Sequence, residues 1–573
     1  MAAQMLDVDA LWHQLQASPY ATAGVAVLVL ILSVILLRDT IMACRVSAVP
    51  GPAALPFVGH IPFLLSEPWN RFGEWARKYG DIYKICGPRP SLAAAKLRQG
   101  PANSAPLNPL PANEPRSFIW GTPMVIVSSP ELVKHILRDA RDRFPKDNWS
   151  YSFFGPILGE GLVTASGASW AKQNQALKPK FKHAALRQYM RAFTGAASRL
   201  REAWAAMPSG SVVELDSTFR QVTLEVIAEV SLGLTPADAS VLPELFGEII
   251  DELNQRMWKP WRAFMPGEIT HQRRIRELND IVLGLIRKRK QEYAEAEGIP
   301  AGRRVLDEDE VLAAGASVDT APRGGDFLDI MLQSESEFTD TEMLDELKTM
   351  LMAGHETTAM MLTWCTFLLA KHPDEMRKAV AEVDAAWEAS GVDGPKDGKL
   401  GWAGIDRMTK DSDASGAPVD TYLHYALHEA MRIYTPVPVL AKCTRDEGEV
   451  LGGAPLPAGT KVMLCCVALH SDPKLWGSDV QAFRPERHRG SEHRKLPGKL
   501  YPFTFIPFSQ GRRECVGRRL ALVEAKTILS YMLRDFEITL APGQTAEPRT
   551  DCYMMPLRPE GGMRVQIKPR VRH

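Results

Sequence analysis

The sequence predicts a mainly α-helical domain with a smaller β region. Apolar residues recur at helical spacing in PELVKHILRDA and VTLEVIAEVSLGL, between about residues 130 and 297. A long helix is predicted from about Asp340 to Lys371, where His372-Pro373 ends it. Strand-like segments are short and occur in GDIYKICG, in PMVIVSS and from about Thr460 to Leu469.

The remaining organisation follows from length and composition. The chain has 573 residues, of which 45% are hydrophobic and 24% charged, as in ordinary globular proteins. Further helices are expected near Tyr422 to Tyr434 and after Cys515, and no internal repeat divides the chain. Lys plus Arg and Asp plus Glu are equal at 68 each, which argues against a dedicated nucleic-acid-binding protein.

Residues Ala21 to Leu37 form an uncharged apolar run, long enough for a short transmembrane anchor. Acidic residues precede the run, whereas Arg38 and Arg45 follow it. The positive-inside rule therefore predicts a lumenal tail at residues 1–20 and a single-pass protein whose main domain faces the cytosol. A cleaved signal peptide is the alternative, but the basic n-region and the cleavage site that it needs are not evident.

A Pro-rich linker is predicted at residues 38–59, followed by one domain over residues 60–573. Three stretches without helical or strand periodicity interrupt that domain near residues 88–116, 298–325 and 390–417. We interpret them as insertions, the first at the tip of a hairpin. The eight cysteines contain no Cys-x-x-Cys pair, which indicates reduced thiols rather than a disulfide framework or a zinc ribbon.

The segment PFSQGRRECVGRR carries the strongest chemical signal. A thiolate at Cys515, just before a helix, would receive backbone N–H groups and the positive end of the helix dipole. That stabilises S⁻, the form that binds a metal ion. Gly511 and Gly517 would let the backbone pass close to a flat macrocycle, and Arg513 could reach a carboxylate. A lone cysteine is more often a buried thiol, but here Phe508 completes a five-position pattern, F-x-x-G-x-R-x-C-x-G.

This segment resembles the haem-binding loop of the cytochrome P-450 family. The resemblance implies haem b (iron protoporphyrin IX), with Cys515 as the iron ligand, held between the long helix and the Cys515 loop. It also implies a monooxygenase that uses O2 and electrons from a partner. A membrane-anchored member of this family is expected in the endoplasmic reticulum membrane.

The long helix contains a second motif, Ala353-Gly354-His355-Glu356-Thr357-Thr358, which is similar to the family's oxygen-activation motif. The resemblance implies that Ala353 and Gly354 leave room for dioxygen. It also implies that Thr357 and Glu356 deliver protons. A threonine that only bonds back to its own helix is the alternative.

Two further patterns support the resemblance. The ion-pair triad of the family matches Glu429, Arg432 and Arg487, with His488 where Phe is usual. The haem propionates would be held at Trp170, Lys442 and Arg513. Trp170 would begin the family's W-x-x-x-R pattern, but Asn174 stands where that pattern has Arg. One salt bridge to a propionate is therefore lost, or it is supplied by Lys172. His424 and His428 superficially suggest zinc, but the H-E-x-x-H order is absent, and ordinary helix histidines are expected.

Ten Lys or Arg but only three Asp or Glu lie between Arg484 and Arg519. This basic run brackets the Cys515 loop and suits docking of an acidic electron donor. The family resemblance implies an NADPH-dependent diflavin reductase, with a cytochrome b-type donor as a further possibility. No nucleotide-binding fingerprint occurs in this chain, so a partner must supply the electrons.

By the resemblance, the substrate pocket is lined by Ser152 to Val163, Pro436 to Ala441 and Cys552 to Leu557. These segments are largely apolar, which favours a lipid-like or isoprenoid substrate. Ala353 occupies the place of the glutamate that attaches haem covalently in fatty-acid ω-hydroxylases, so no such bond is expected. Two alternatives remain open: a haem-thiolate isomerase or dehydratase acting on a hydroperoxide, and a non-catalytic haem-binding protein.

Overall fold

The computed structural model describes the chain in segments: residues 46, 48–52, 68–86, 123–182, 186–258, 260–300, 303–304, 325–334, 338–389, 400, 404–405, 421–489, 501–551 and 555–571. The predicted tail, anchor and most of the linker lie outside these residues, as do the first insertion and most of the other two. Among the described residues, no helix combines the length and apolar character that crossing a bilayer requires.

The described residues are mainly helical, as predicted. The α-helices are α1 Pro68–Tyr79, α2 Pro130–Lys134, α3 Asn148–Tyr151, α4 Gly155–Leu158, α5 Gly167–Leu177, α6 Met190–Ala205, α7 Leu215–Leu232, α8 Leu242–Trp258, α9 Gly267–Glu295, α10 Phe327–Leu332, α11 Asp340–Lys371, α12 Pro373–Ala389, α13 Tyr422–Ile433, α14 Cys466–His470, α15 Pro473–Trp476, α16 Tyr501–Thr504 and α17 Arg518–Asp535. The strands are β1 Ile82–Cys86, β2 Pro123–Val127, β3 Ser211–Glu214, β4 Val439–Cys443, β5 Glu449–Leu451, β6 Ala454–Leu456, β7 Lys461–Cys465, β8 Phe536–Leu540 and β9 Arg564–Pro569.

Helix α11 is the centre of the fold, and its predicted bounds are confirmed. Thr339 caps its first turn in a capping box: the Thr339 hydroxyl accepts from the Glu342 N–H at 3.2 Å, and the Glu342 carboxylate accepts from the Thr339 N–H at 2.8 Å. The helix is buried on nearly every face. It packs closely on α7, where the Thr223 hydroxyl donates to the His355 carbonyl at 3.0 Å.

The small sheets lie beside this helical core. The largest has the order β1-β2-β7-β4, with β1 and β2 pairing antiparallel as the predicted hairpin requires. A second sheet, β3-β9-β8, brings the C-terminal strand beside the start of α7.

The strand predicted over Thr460 to Leu469 is confirmed only in its first half. It ends at Cys465, and α14 follows, because the Cys466 N–H turns to the Pro438 carbonyl at 2.9 Å. A short apolar run such as CCVAL is compatible with either structure, so periodicity did not separate the two.

Candidate active site

The Cys515 loop is a tight turn that leads into α17. The Cys515 N–H donates to the Phe508 carbonyl at 2.8 Å, which closes the loop, and Ser509 adopts a left-handed φ of 61°. Phe508 and Val516 are half-buried and pack against the same hydrophobic core as Met352 of α11. The structure therefore places the predicted ligand loop and the central helix on one core.

The environment of the Cys515 thiol suits a metal ligand rather than a free thiolate. Burial among protein atoms raises the pKa of Cys515, and the Gly517 N–H lowers it by a smaller amount. The residue nevertheless keeps one exposed side. The Gly517 N–H therefore offsets only part of the effect of burial, and a cation bound at the sulfur would stabilise the thiolate further.

The backbone conformation and a close neighbour both require glycine at Gly511. Its φ is 78°, and a Cβ atom there would lie 2.5 Å from the Leu137 carbonyl oxygen, in the segment after α2. The predicted close approach to a macrocycle stays a prediction.

A cationic cavity of about 420 Å³ opens beside this loop. Lys146, Lys442, Arg513 and Trp170 all line it. Arg513 stacks on Trp170, with the guanidinium carbon 4.1 Å from the ring centroid, and donates to the Ala165 carbonyl at 2.9 Å. The three predicted propionate positions therefore come together, and Lys146 joins them.

The charges of this cavity fit a dianionic ligand. Burial, followed by repulsion from Arg513, lowers the pKa of Lys146 to about 7 and that of Lys442 to about 8. Burial also lowers the pKa of Arg513 to about 10. Cations crowded together in this way are stabilised by carboxylates, and haem carries two of them on its propionates. The residues present thus fit haem, with Cys515 for its iron and these cations for its propionates.

Lys172 does not replace the arginine missing at Asn174. Its ammonium group bonds the Glu342 carboxylate at 2.9 and 3.1 Å, and it is absent from the residues that line the cavity. Lys146 supplies a cation there instead, and its ammonium also donates to the Val163 and Thr164 carbonyls at 2.5 Å each.

On α11, part of the oxygen motif forms a half-buried patch on a helix that is otherwise mostly buried. Met352, Ala353, Gly354 and Thr357 are half-buried, whereas Glu356 and Thr358 are buried. The Thr357 hydroxyl donates to the Ala353 carbonyl at 2.8 Å. This is the back-bond of the alternative interpretation, yet it also holds the hydroxyl on the accessible face.

Packing against α7 requires glycine at Gly354, and the predicted room for dioxygen stays a prediction. A Cβ atom there would lie 2.7 Å from Ile227 on α7.

Glu356 is a buried acid with three close partners. It is 2% exposed, and its carboxylate bonds Arg558 at 2.6 Å and His355 at 3.1 Å, with Arg220 at 3.8 Å. Burial alone would raise the pKa of Glu356, but the His355 hydrogen bond and the two arginines lower it far below its ordinary value. Glu356 is therefore a buried carboxylate, and a role in proton delivery requires a change of partner.

The predicted scaffold triad is confirmed and has a fourth member. The Glu429 carboxylate accepts from Arg432 at 2.8 and 2.9 Å and from Arg487 at 3.1 Å. His488 joins the same carboxylate at 2.9 Å, which explains how a polar ring replaces Phe in a buried position. Nearby, the His428 ring bonds the His424 carbonyl at 2.9 Å within the helix.

Two of the three predicted pocket segments are tied to each other and to α11. The Leu557 N–H donates to the Pro436 carbonyl at 3.1 Å, and the Trp364 indole donates to the Leu557 carbonyl at 2.9 Å. Phe154, in the predicted segment from Ser152 to Val163, and Met555 are both half-buried, while residues 552–554 lie outside the described residues.

Sequence reasoning missed Lys146 and Arg558. Lys146 is adjacent to the Pro145 turn and carries no motif of its own. Arg558 is 202 positions from Glu356, so spacing gives no signal. The only clue was chemical: a buried carboxylate needs a cation.

Comparisons with known proteins agree with this geometry. A family profile described as Cytochrome P450 matches residues 113–565. Cytochrome P450 4c3 of Drosophila melanogaster is 24% identical over 550 residues, covering 92% of this chain and 90% of that protein. The 11-oxo-beta-amyrin 30-oxidase of Glycyrrhiza uralensis is 29% identical over 466 residues, covering 77% and 78%. The crystal structure of the cytochrome P450DA heme domain superposes with a TM-score of 0.70 at 21% identity, covering 91% of this chain and 98% of that one.

Proposed function

The chain belongs to the cytochrome P450 family and is a haem-thiolate monooxygenase, and we propose that it hydroxylates an apolar, lipid-like or isoprenoid substrate. Such a haem, when bound, activates dioxygen for insertion of one oxygen atom into the substrate. Cys515 is the proposed iron ligand, and Trp170, Lys442, Arg513 and Lys146 are proposed to hold the propionates.

One observation carries this proposal: an exposed thiol and an accessible threonine patch share one core beside a cavity with excess positive charge. Thr357 would present its hydroxyl to the reacting oxygen, and Ala353 would orient that hydroxyl through its carbonyl. An isomerase or dehydratase needs neither this hydroxyl nor an electron donor. The intact oxygen motif therefore favours the monooxygenase.

The substrate class rests on the segments that the family resemblance assigns to the pocket. Phe154, Leu162 and Val163, in the first of these segments, are half-buried apolar or aromatic side chains that pack against the same core as Met352. A pocket lined by such side chains would bind apolar groups and place few polar constraints. A relative, 11-oxo-beta-amyrin 30-oxidase, is named for oxidation of a beta-amyrin derivative, which is consistent with an apolar substrate here.

The electron donor and the membrane are proposed as the two partners. Arg512 and Arg519 are exposed beside the Cys515 loop, where a diflavin reductase with an acidic docking face would approach. Phe264, Met265 and Ile269 are 55%, 55% and 75% exposed within six residues, an apolar projection that suits a membrane surface. Together with the apolar run at 21–37, this supports attachment to the endoplasmic reticulum membrane.

Thr357→Ala tests the function. Membranes carrying the enzyme, a diflavin reductase and NADPH would be supplied with dodecanoic acid or beta-amyrin, and NADPH, oxygen, peroxide and product would be measured. Removal of the hydroxyl should leave haem content unchanged while product per NADPH falls and peroxide release rises. General acid assistance is worth about 10²–10⁴-fold, and water can replace part of it.

Thr358→Ala is the matched control, since Thr358 is buried on another face of the same helix. It should keep the product-to-NADPH ratio of the wild type. Product formed from a lipid hydroperoxide without reductase would support the isomerase instead.

A further inference from the structure

A turn segment between α4 and α5, residues 159–165, holds two of the cations that line the cavity. The Lys146 ammonium donates to two of its carbonyls at 2.5 Å each. Arg513 donates to a third carbonyl, that of Ala165, at 2.9 Å. Successive carbonyls at one end of the turn segment therefore fix where these two cations stand.

The other end of the turn segment is bound to the central helix α11. The Glu160 N–H donates to Oδ2 of Asp345 at 2.9 Å. Asp345 is buried, and its other carboxylate oxygen lies 3.4 Å from the Lys348 ammonium on the same helix. A Cβ atom at Gly159 would overlap the Asp345 carboxylate, and one at Gly161 would overlap the next turn of α11. The first three residues of the turn segment are therefore in direct contact with α11.

Hydrogen bonds inside the turn segment connect its two ends. The Gly161 carbonyl accepts from the Thr164 N–H at 2.9 Å, from the Thr164 hydroxyl at 3.0 Å and from the Ala165 N–H at 2.7 Å. The Glu160 carbonyl accepts from the Gln173 side chain on α5 at 2.7 Å, which fixes the same peptide from the opposite side. A carboxylate on α11 is thus linked by backbone hydrogen bonds to the carbonyls that hold the cavity cations.

We propose that Asp345 is a positioning residue for the haem, which holds Lys146 and Arg513 through the turn segment in the places where they bind the propionates. This inference rests on the proposed assignment of these cations to the propionates. Asp345 already has Lys348 as a partner within its own helix, so compensating the cavity charge is not its role. Its second oxygen instead accepts the Glu160 N–H, and a displacement of α11 at this point would move the turn segment.

The first test measures the contact in the full-length, haem-loaded protein. Hydrogen–deuterium exchange of peptides covering residues 159–165 would be compared for the wild type, Asp345→Ala and Asp345→Asn. Asp345→Ala removes the acceptor of the Glu160 N–H, so exchange should become several-fold faster. Asp345→Asn keeps an oxygen that can accept and should exchange near the wild-type rate. Asp340→Ala, which loses a pair with Lys290 at the start of the same helix, is the control and should leave exchange unchanged.

The second test measures the haem. The same variants would be followed by haem transfer to apomyoglobin and by the propionate bending bands of the resonance Raman spectrum. Asp345→Ala should release haem several-fold faster and shift these bands, because Lys146 and Arg513 lose their fixed positions. Asp345→Asn should restore both properties. In combination with Lys146→Met, the effect of Asp345→Ala should be smaller than it is alone, since Asp345 acts in part through that cation.

These measurements distinguish positioning from a purely structural role. A structural residue would lower the unfolding midpoint in Asp345→Ala but leave the propionate bands of the folded, haem-loaded protein unchanged. Asp345→Glu keeps the charge and moves it by one methylene group, so it provides the same comparison if Asp345→Ala yields too little haem-loaded protein.

The outcomes separate this inference from the proposed function. Unchanged exchange in Asp345→Ala would show that Asp345 does not hold the turn segment. Faster exchange with wild-type haem release and propionate bands would overturn the positioning role. If Lys146→Met and Arg513→Met also left haem release and the bands unchanged, the proposed propionate assignment would fail, while the exchange rates would still decide whether Asp345 holds the turn segment.

Discussion

The cationic cavity and the Glu356 charge chain, which joins Asp216, Arg220, Glu356, Arg558 and Asp251, are both partly buried ionic regions, but they are built in opposite ways. Six Lys or Arg line the cavity and only one acid, Asp142, does. In the chain around Glu356, every arginine has a carboxylate on each side. The first region carries excess charge, and the second is nearly balanced by its own residues.

This difference distinguishes a site that binds a charged ligand from a set of ion pairs that holds neighbouring elements together. Burial and repulsion from Arg513 lower the pKa of Lys146 and Lys442, so those groups gain from an anion brought by a ligand. Internal pairing lowers the pKa of Glu356, so that group already has its partners. A buried charge cluster with excess charge therefore indicates a ligand site, whereas a balanced one indicates coupling between elements.

The largest expected effect follows Cys515→Ser. The serine hydroxyl is a poor iron ligand, so the reduced carbon-monoxide absorption band of thiolate-ligated haem should be lost completely. The spectrum of the purified protein checks this. Cys443→Ser is the control, because Cys443 is a half-buried thiol whose sulfur lies 3.9 Å from the Pro145 carbonyl and outside the Cys515 loop. A retained band in Cys515→Ser would remove this thiol from the site.

Lys146→Met should weaken haem binding by about tenfold, since one charge-assisted hydrogen bond contributes about 1.5–3 kcal/mol before screening. The pH dependence gives the sharper test. A bound propionate favours the ammonium form, so haem binding takes up a proton above about pH 7, and affinity should fall as pH rises towards 10.5. The variant should show a shallower fall, measured by haem transfer at several pH values.

Lys172→Met distinguishes the two lysines. It removes the salt bridge to Glu342 on α11 but no cation of the cavity. Haem affinity should stay at the wild-type value. The opposite result, with haem lost from Lys172→Met and kept by Lys146→Met, would mean that Lys172 on α5 provides the missing propionate contact.

Much of the fold was predictable because periodicity and helix-ending signals are local. The C-terminal bound of α11 followed from His372-Pro373, whereas the capping box at Thr339 was recognised only in the structure. The Cys515 loop was predictable because its pattern is compact. Glu429 and its two arginines were identified from order along the chain, and the geometry confirms them.

The parts of the site that were not predicted depend on contacts between residues far apart in the sequence. The cation that joins the cavity, Lys146, and the arginine that binds Glu356 leave no periodic trace in the sequence. Gly354 and Gly511 were predicted to allow close approach of a ligand, and the fold adds a reason that the sequence did not show: close contact with Ile227 and with the Leu137 carbonyl. A sequence shows that a position needs glycine, and only the fold shows which atom comes close.

The smallest expected effect follows Arg220→Gln, at the α7 end of the Glu356 charge chain. Its side chain is 26% exposed and lies 3.8 Å from Glu356, so its contribution should be below about 1 kcal/mol. Arg558→Met should cost several times more, because Arg558 is buried and closer. Denaturant unfolding of both variants checks this order.

The pH dependence of Arg220→Gln should identify the affected carboxylate. Burial raises the pKa of Asp216 above 3.8, and Arg220 is the first group that opposes the rise. Removing Arg220 should raise that pKa further, so the folded state binds a proton more readily than the unfolded state does. The loss of stability should therefore be full at neutral pH and shrink as pH falls towards 4. Arg199→Gln, which breaks a pair between Arg199 of α6 and Glu225 of α7, should show a small loss of stability without this recovery. Equal pH profiles for the two variants would mean that Arg220 is a surface residue and that the charge chain ends at Glu356.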